Sequence, residues 1–307
     1  MVAELLEKEI NRLGGRLQVV PISLLSAVWE EWGKCEEKIQ ETRMYQDMLK
    51  DYFDFTLGGK LDRVNSLILI ALPSPPCYVE LEWGSGSIEA DIPPVYIHRD
   101  QQLEAIKQLV KNLFDQHELH SWPVVLPKKI LASINGFGKY GRNNLLYVEG
   151  LGSCHRLTVF ASDLICREDS EPMTERQMER CSHCSICRRK CPTGAITETS
   201  AMIHHDRCLT FYNEQKHPLA EWLQEGWHHA LVGCVRCQEQ CPANREVWRR
   251  EKMASFTKEE MQQILEEHDF DTIEKSLQDK LTELNLHRYY PVLSRNIKLL
   301  LKEKGLL

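Results

Sequence analysis

Eight cysteines in the second half of the chain have a spacing that suits metal-cluster chemistry. Seven of them form two runs, Cys181-x-x-Cys184-x-x-Cys187-x-x-x-Cys191-Pro192 and Cys234-x-x-Cys237-x-x-x-Cys241-Pro242, and Cys208 lies between the runs. The first run is typical of chains that bind two [4Fe–4S] clusters, in which three cysteines hold one cluster and the fourth goes to the other. The spacing therefore predicts a protein that transfers electrons.

Exchange of the last cysteine of each run divides the eight thiolates into two complete ligand sets. Each tight loop aims its first thiolates at one cubane, while the cysteine before proline reaches the other cluster. The first predicted set is Cys181, Cys184, Cys187 and Cys241. The second predicted set is Cys191, Cys208, Cys234 and Cys237. Two cubanes use all of these ligands and leave none over.

Zinc binding and disulfide formation are the alternative uses of these cysteines. Paired Cys-x-x-Cys sites bind tetrahedral Zn²⁺, but a third cysteine at the same interval and a Cys-Pro ending are not features of zinc ribbons. The chain opens with a charged amphipathic pattern that has no apolar signal core and no twin-arginine pair, so we expect a cytoplasmic protein with reduced thiols. The remaining cysteines lack ligand spacing and are expected to be ordinary thiols: Cys35, Cys77, Cys154 and Cys166.

Length and composition allow one large globular domain or two smaller ones. The chain has 307 residues, and its 42% hydrophobic content is enough for a buried core. It contains no run of about eighteen apolar residues, so no membrane span is expected. The formal net charge of -7 argues against a general affinity for nucleic-acid phosphates, although a local basic patch is compatible with an acidic total.

The part of the chain before the cysteines alternates helical and strand patterns, which predicts an N-terminal α/β domain. Helical spacing of apolar residues is found over residues 2–13, 36–52 and 101–113. Short apolar runs predict strands at 66–72, 144–148 and 157–160. The first of these runs is apolar throughout, as expected of a buried strand.

A small helical part is predicted after the cysteines. It begins with a capping box from Thr257 to Glu260 and a hydrophobic staple between Phe256 and Met261. Helices are predicted near 258–267, 271–284 and 288–303, and their mixed charges favour a solvated helical cap over a nucleic-acid platform. The predicted class is α+β in three segments, which are an α/β domain (1–177), a two-cluster ferredoxin-like module (178–245) and a helical extension (246–307).

Several segments resemble the epoxyqueuosine reductases and their relatives, the cobalamin-dependent reductive dehalogenases. The run Gly136-Phe137-Gly138-Lys139-Tyr140-Gly141-Arg142-Asn143 is followed by Gly152-Ser153, by Asp163-Leu164 and then by the eight-cysteine pattern. Residues 62–73 resemble the first core strand of the epoxyqueuosine reductases, and residues 96–100 resemble the start of their next helix. The resemblance extends from about residue 60 to about residue 245.

This resemblance implies a nitroreductase-like N-terminal domain that binds a base-off cobalamin. It also implies that an external ferredoxin or flavodoxin delivers electrons to the second ligand set, from which they pass through the other cluster to cobalt. The residues predicted to bind the corrinoid are Gly136, Gly138, Lys139, Tyr140, Gly141, Arg142, Asn143 and Ser153. Backbone without side chains can approach a large flat cofactor, which is the reason for including the glycines.

One departure from the family concerns the proton donor. Epoxyqueuosine reductases carry an Asp-Ser-x-Pro segment whose aspartate gives a proton to the substrate, whereas this chain has His120-Ser121-Trp122-Pro123. The resemblance therefore implies that His120 is the donor, since histidine donates protons near neutral pH, and that the substrate differs. Taken alone, His120 is interpreted as a surface or packing histidine. Other candidate donors are Lys128, Lys129, Lys139 and Tyr140.

Three functions stay open. The favoured one is a cobalamin-dependent reductase that cleaves a C–O or C–halogen bond in a small or nucleoside-like substrate. The second is an electron-transfer or activating protein that reduces the corrinoid of a partner protein. The third is an epoxyqueuosine reductase in the strict sense, acting on tRNA. Longer family members add helical repeats that help to hold tRNA, whereas only about 60 residues follow the last cluster cysteine here. Tight binding of tRNA is therefore not expected.

Overall fold

The computed structural model describes residues 2–166, 171–198 and 202–307. The α-helices in these ranges are α1 (Val2–Arg12), α2 (Leu24–Ile39), α3 (Arg99–Asp115), α4 (Lys128–Ile134), α5 (Ile186–Lys190), α6 (Leu209–Glu214), α7 (Arg236–Glu239), α8 (Lys258–Leu265), α9 (Lys275–Glu283) and α10 (Tyr290–Glu303). The strands are β1 (Arg16–Pro21), β2 (Ser66–Pro73), β3 (Cys77–Trp83), β4 (Gly86–Ile92), β5 (Ser121–Pro123), β6 (Lys139–Tyr140), β7 (Leu146–Tyr147), β8 (His155–Ser162) and β9 (Glu251–Phe256).

The chain forms two compact units, and each is assembled from separate stretches of sequence. The first unit contains the chain up to Pro73 and the segment Gln101–Cys184. The second contains Ser74–Asp100, residues 185–198 and Ile203–Leu307. The division into segments 1–177, 178–245 and 246–307 is drawn from the extent of the cysteine region and the patterns on either side, and it stays a prediction. Within the described ranges, none of the helices has the length and apolar character needed to cross a membrane.

A four-stranded antiparallel sheet organises the first unit. Its strand order is β1-β2-β8-β5. Alternate side chains of β2 enter two different cores: Leu67 and Leu69 pack with residues of α2 and α4, whereas Ile68 and Ile70 pack with residues of α1 and α3. Because β2 is covered on both faces and paired on both edges, its apolar run is continuous.

The structure confirms most of the predicted elements in the first unit and corrects three. The helices near 2–13 and 101–113 and the strands near 66–72 and 157–160 are confirmed. The helix predicted over 36–52 is confirmed only in part, because it is interrupted at Thr42. The Thr42 hydroxyl donates to the Ile39 carbonyl and accepts from the Tyr45 amide, so that α2 ends at Ile39 and a π-helical turn, Tyr45–Leu49, follows.

The other two corrections concern strands. The strand predicted over 144–148 is confined to β7, because the chain turns tightly just before it: Asn144 adopts a left-handed backbone conformation with a φ of 60°. The main sheet is antiparallel, so the α/β description of the N-terminal part is wrong, although the mixed α+β class is confirmed.

The second unit is built on a three-stranded sheet of order β4-β3-β9, in which β9 runs parallel to β3. The capping box is confirmed, because the Thr257 side chain and the Glu260 side chain each accept from the other residue's backbone N–H. The three C-terminal helices are confirmed as α8, α9 and α10. Their apolar faces complete the core of this unit with β3 and β4, so they are more than a solvated cap.

Candidate functional site

Short helical turns separate the cysteines of both runs. Cys187 lies in α5, Cys237 lies in α7, and Cys208 immediately precedes α6. In the second unit, α5 packs against α7, so the end of the first run lies beside the second run. Local helix formation therefore fixes the spacing between thiols within each run, and packing brings parts of the two runs together.

Three members of the second predicted ligand set lie close together. Burial raises the pKa of the Cys234 thiol, and charge on Cys208 and then Cys191 raises it further. Burial likewise raises the pKa of Cys208, and charge on Cys191 adds to this effect. Such mutual electrostatic influence requires neighbouring thiols. Because cluster ligands bind as thiolates, cluster assembly at these cysteines must release protons.

The chemistry of the donor set suits an iron–sulfur cluster. A cubane holds its four thiolates at separate corners around four irons, and the donor set here consists of thiols alone. The grouping of Cys191, Cys208 and Cys234 agrees with the predicted second set, and the placement of Cys237 in that set stays a prediction.

The four cysteines of the first predicted set are divided between the two units. Cys181 lies in a 3₁₀ turn, Glu179–Ser182, and its backbone N–H donates to the Met178 carbonyl at 2.9 Å. Cys181 and Cys184 belong to the first unit, whereas Cys187 and Cys241 belong to the second. The assignment of these four thiols to one cluster therefore stays a prediction.

The cysteines outside the two runs lie in protein cores or partly buried positions. No disulfide joins any of the twelve cysteines. Cys77 is buried, and burial raises its pKa to about 12, so that it remains a protonated thiol at neutral pH. Burial also raises the pKa of Cys35, with a further contribution from Glu31. These environments suit the ordinary thiols predicted from the sequence.

The glycine-rich segment forms a β-hairpin in the first unit. Its strands are β6 and β7, with Lys139 opposite Tyr147 and Tyr140 opposite Leu146. The turn between the strands is closed by hydrogen bonds from the Gly141 amide to the Leu145 carbonyl and from the Asn144 amide to the Gly141 carbonyl. The hairpin therefore presents Lys139, Tyr140 and Arg142 on a fixed backbone.

The glycines of this segment have reasons within the hairpin itself. A Cβ on Gly138 would lie 2.8 Å from the Tyr147 carbonyl oxygen, and one on Gly141 would lie 2.6 Å from the Asn143 side chain. Gly136 has a φ of 80°, which glycine adopts without strain. Close approach to a flat cofactor is therefore not needed to explain these glycines. Asn143 and Ser153 are buried, and the Asn143 amide donates to the Tyr147 hydroxyl.

Polar contacts join this hairpin to the segment that carries Cys181. The Tyr140 amide donates to the Arg176 carbonyl at 2.7 Å, and the Tyr140 carbonyl accepts from the Met178 amide at 2.9 Å. The Arg142 guanidinium donates to the carbonyl oxygen of Cys181. The hairpin and the first cysteine loop thus form one continuous hydrogen-bonded piece of the first unit, and any group held by the hairpin lies beside this loop.

Burial shapes the chemistry of the other candidate donors on the hairpin. It raises the pKa of Tyr140, and charge on Cys35 adds to this effect, so Tyr140 is a hydroxyl donor at neutral pH. The Lys129 ammonium donates to the Asn144 carbonyl at 2.9 Å and lies 5.9 Å from the centre of the Tyr140 ring. Lys129, which lies in α4, therefore stabilises the position of the hairpin.

His120 is held by an acidic partner that the sequence reasoning missed. One Asp163 oxygen accepts from the His120 backbone N–H at 2.8 Å, and the other lies 2.7 Å from Nδ1 of the His120 ring. Since a carboxylate accepts and does not donate, Nδ1 carries a hydrogen and Nε2 is the nitrogen that exchanges a proton. The ring also stacks on Trp122, with 5.9 Å between centroids and an interplanar angle of 6°.

The strand ends explain why this pair forms. The hydroxyl of Ser162, the last residue of β8, donates to the His120 carbonyl at 2.8 Å. Asn65 donates through its side chain to the Asp163 carbonyl at 2.8 Å. The His120 side chain itself is 67% exposed, so the fixed ring stays accessible to a substrate. In the sequence, Asp163 belongs to the Asp163-Leu164 pair, to which the resemblance gives no individual role.

Comparison with known proteins adds two independent findings. The family model described as a 4Fe-4S double cluster binding domain matches residues 180–244. An epoxyqueuosine reductase of Listeria monocytogenes is 34% identical over 136 residues, which are 44% of this chain and 32% of that relative. The chain is similar to the epoxyqueuosine reductases. In this comparison the chain spans about a third of the length of the reductase.

Solved epoxyqueuosine reductases share the fold. The Streptococcus thermophilus epoxyqueuosine reductase aligns with a TM-score of 0.73 at 18% identity, covering 99% of this chain and 82% of that one. An epoxyqueuosine reductase solved with an epoxyqueuosine-modified stem loop of tRNA-Tyr aligns with a TM-score of 0.68 at 18% identity, covering 98% and 80%. The likeness extends beyond the cysteine-rich segment to nearly the whole chain.

Proposed function

We propose that this protein is an iron-sulfur reductase of the epoxyqueuosine reductase type. The observation that carries the proposal is the joining of the glycine-rich hairpin to the Cys181 loop through Arg142 and Tyr140. A cluster ligand segment and a segment proposed to bind a cofactor are thereby connected within one unit. The match to a double-cluster family model supports the presence of two [4Fe–4S] clusters.

The proposed ligands of the clusters are the two cysteine sets predicted from the sequence. The grouping of Cys191, Cys208 and Cys234 supports the second set. When bound, a [4Fe–4S] cluster accepts and gives one electron at a time at a potential tuned by burial and hydrogen bonds. An external low-potential donor, a ferredoxin or flavodoxin, is the proposed source of electrons.

Cobalamin is the proposed second cofactor, and the residues at the hairpin fit a polar cofactor periphery. Lys139 and Tyr140 are half-buried, and the Tyr140 hydroxyl keeps its proton because burial raises its pKa. Such donors suit the amides and phosphate of a corrinoid. A bound corrinoid would supply a strongly reducing cobalt centre. We assign Lys139, Tyr140 and Arg142 to holding it and assign Gly138 and Gly141 to hairpin packing.

His120 is the proposed proton donor, with Asp163 as its positioning residue. The carboxylate fixes the ring so that protonated Nε2 can give a proton, while Nδ1 stays hydrogen-bonded. Reductive removal of an epoxide oxygen as water consumes two electrons and two protons. His120 would supply one of these protons, and solvent would return it to the ring between turnovers.

The proposed substrate class is an epoxide or similar C–O bond in a nucleoside-like molecule. The probe is a short anticodon stem loop that contains epoxyqueuosine, because a relative has been solved with such a stem loop. The anaerobically reconstituted protein, given cobalamin and a chemical reductant, is expected to convert the modified base. A mass decrease equal to one oxygen atom would support the proposal.

Two controls sharpen this experiment. Omission of cobalamin tests the cofactor, and an unmodified stem loop tests the reaction. Conversion that is equally fast without cobalamin would refute the corrinoid assignment. Failure to convert the probe, combined with reduction of a corrinoid bound to another protein, would favour the electron-transfer alternative.

A further inference from the structure

We propose that helix α10 positions the ligands of the second cluster through Arg295 and Asn296. These residues follow the last cluster cysteine by more than fifty positions, yet both contact the segment that follows Cys208, and Asn296 also contacts the segment before Cys234. The inference depends on one part of the proposed function, which is that the second cysteine set binds a cluster. All of the residues concerned belong to the second unit.

Asn296 joins two segments that are separate in the sequence. Its side chain is buried, with a residue exposure of 1%, and its amide nitrogen donates to the Asn213 carbonyl at 2.9 Å and to the Leu231 carbonyl at 2.8 Å. Asn213 lies in α6, which begins directly after Cys208, and Leu231 lies three residues before Cys234. One buried amide group thus connects both ligand segments.

Asn213 continues the connection toward Cys234. Its buried side-chain amide donates to the carbonyl of Gly233 at 2.8 Å. Gly233 has a φ of 65°, and a Cβ there would lie 2.8 Å from Pro93 and from the Tyr96 hydroxyl. The backbone just before Cys234 is therefore held by Asn213 of α6 at Gly233 and by Asn296 of α10 at Leu231.

Arg295 holds the other end of α6. Its guanidinium donates to three backbone carbonyls: those of Tyr212 at 2.6 Å, Gln215 at 3.0 Å and His217 at 2.9 Å. The side chain is half-buried, and this burial lowers the pKa of the guanidinium. A cation over the last carbonyls of a short helix stabilises that helix. Arg295 therefore fixes the helix that follows Cys208.

A buried polar network of this kind specifies geometry more than it adds stability. An apolar side chain in place of Asn296 would fill the space but leave two buried carbonyls without their donor. Residues that orient metal ligands from outside the ligand set commonly change metal affinity by about 10 to 100-fold when they are replaced. The expected effect of breaking this network is therefore on the second cluster.

The test compares Asn296→Leu with the matched control Lys298→Met on the same helix. Lys298 is partly exposed and pairs with Glu267 at 2.8 Å, away from the cysteine segments. Each full-length protein is reconstituted anaerobically, and loss of the clusters to a ferrous chelator is followed by absorbance and iron content. We expect half of the iron to leave Asn296→Leu at least about tenfold faster than it leaves the wild type, and Lys298→Met to match the wild type.

Circular dichroism before cluster assembly shows whether Asn296→Leu folds. If it does not fold, a second variant still tests the inference. Arg295→Lys keeps the charge but replaces the two guanidinium nitrogens that reach separate carbonyls with one ammonium nitrogen, and it is expected to release half of its iron faster as well. Release at the wild-type rate from the folded variant would overturn the inference. A wild-type protein that assembles fewer than two clusters would refute the proposed function together with it.

Discussion

Replacement of His120 separates its catalytic role from a structural one. The His120–Asp163 pair has side chains that are 67% and 26% exposed, so breaking it should lower the free energy of unfolding by less than about 1 kcal/mol. A positioned general acid contributes roughly 100-fold or more to a rate, which corresponds to about 2.7 kcal/mol in the activation barrier. We therefore expect His120→Gln to be stable and slow.

The assay measures single-turnover conversion of the epoxyqueuosine stem loop, together with urea unfolding and iron content. Asp163→Asn retains the size of the side chain but loses its charge, and we expect roughly a tenfold slower turnover at unchanged iron content. The control is His268→Gln, because His268 also pairs with a carboxylate, Glu266, at 2.9 Å on an exposed surface. Unchanged turnover of His120→Gln would refute the reasoning and leave His120 as a surface histidine.

Three further predictions follow from burial and packing. Cys184→Ala should lose about four irons, whereas Cys77→Ala should lose none because its thiol is buried outside the cysteine runs; equal iron in both variants would contradict the ligand assignment. Gly138→Ala should destabilise the protein through its 2.8 Å backbone contact, while Gly33→Ala, with no atom within 4 Å, should stabilise it by about 0.5–1 kcal/mol; thermal melts in which both changes have the same sign would contradict this. Burial lowers the pKa of His155 to about 4 from 6.5, so its unfolded state binds protons more readily and stability falls as the pH drops below 6.5. His155→Gln should reduce the loss in the free energy of unfolding between pH 7 and pH 5 by about 2 kcal/mol. If urea unfolding gives this variant the same pH dependence as the wild type, the prediction is wrong.

Local features of this protein could be predicted from its sequence. The cysteine runs specify their own short turns, and β2 reveals its burial on two faces through an uninterrupted apolar run. The capping box at Thr257 fixes where α8 begins. Each of these signals is formed by residues a few positions apart, so spacing and side-chain type are sufficient to recognise it.

Features that depend on distant contacts could not be predicted in this way. Asp163 holds His120 across 43 positions of sequence, and Asn296 reaches Leu231 across 65. No periodic pattern marks such polar pairs. The resemblance assigned the glycines of the hairpin to a cofactor. Only the fold reveals that their Cβ positions are filled by the facing strand and by the turn of the hairpin itself. Tertiary packing therefore changed the interpretation of the glycines while leaving that of the cysteines intact.

Iron quantification with EPR of the reduced protein tests the central claim most directly. The wild-type chain, reconstituted anaerobically and reduced with dithionite, is expected to contain about eight irons and to give the signals of two reduced [4Fe–4S] clusters. The same protein with cob(II)alamin added should then show a base-off corrinoid signal. Zinc in place of iron, or a single cluster of about four irons, would contradict the account of a two-cluster reductase.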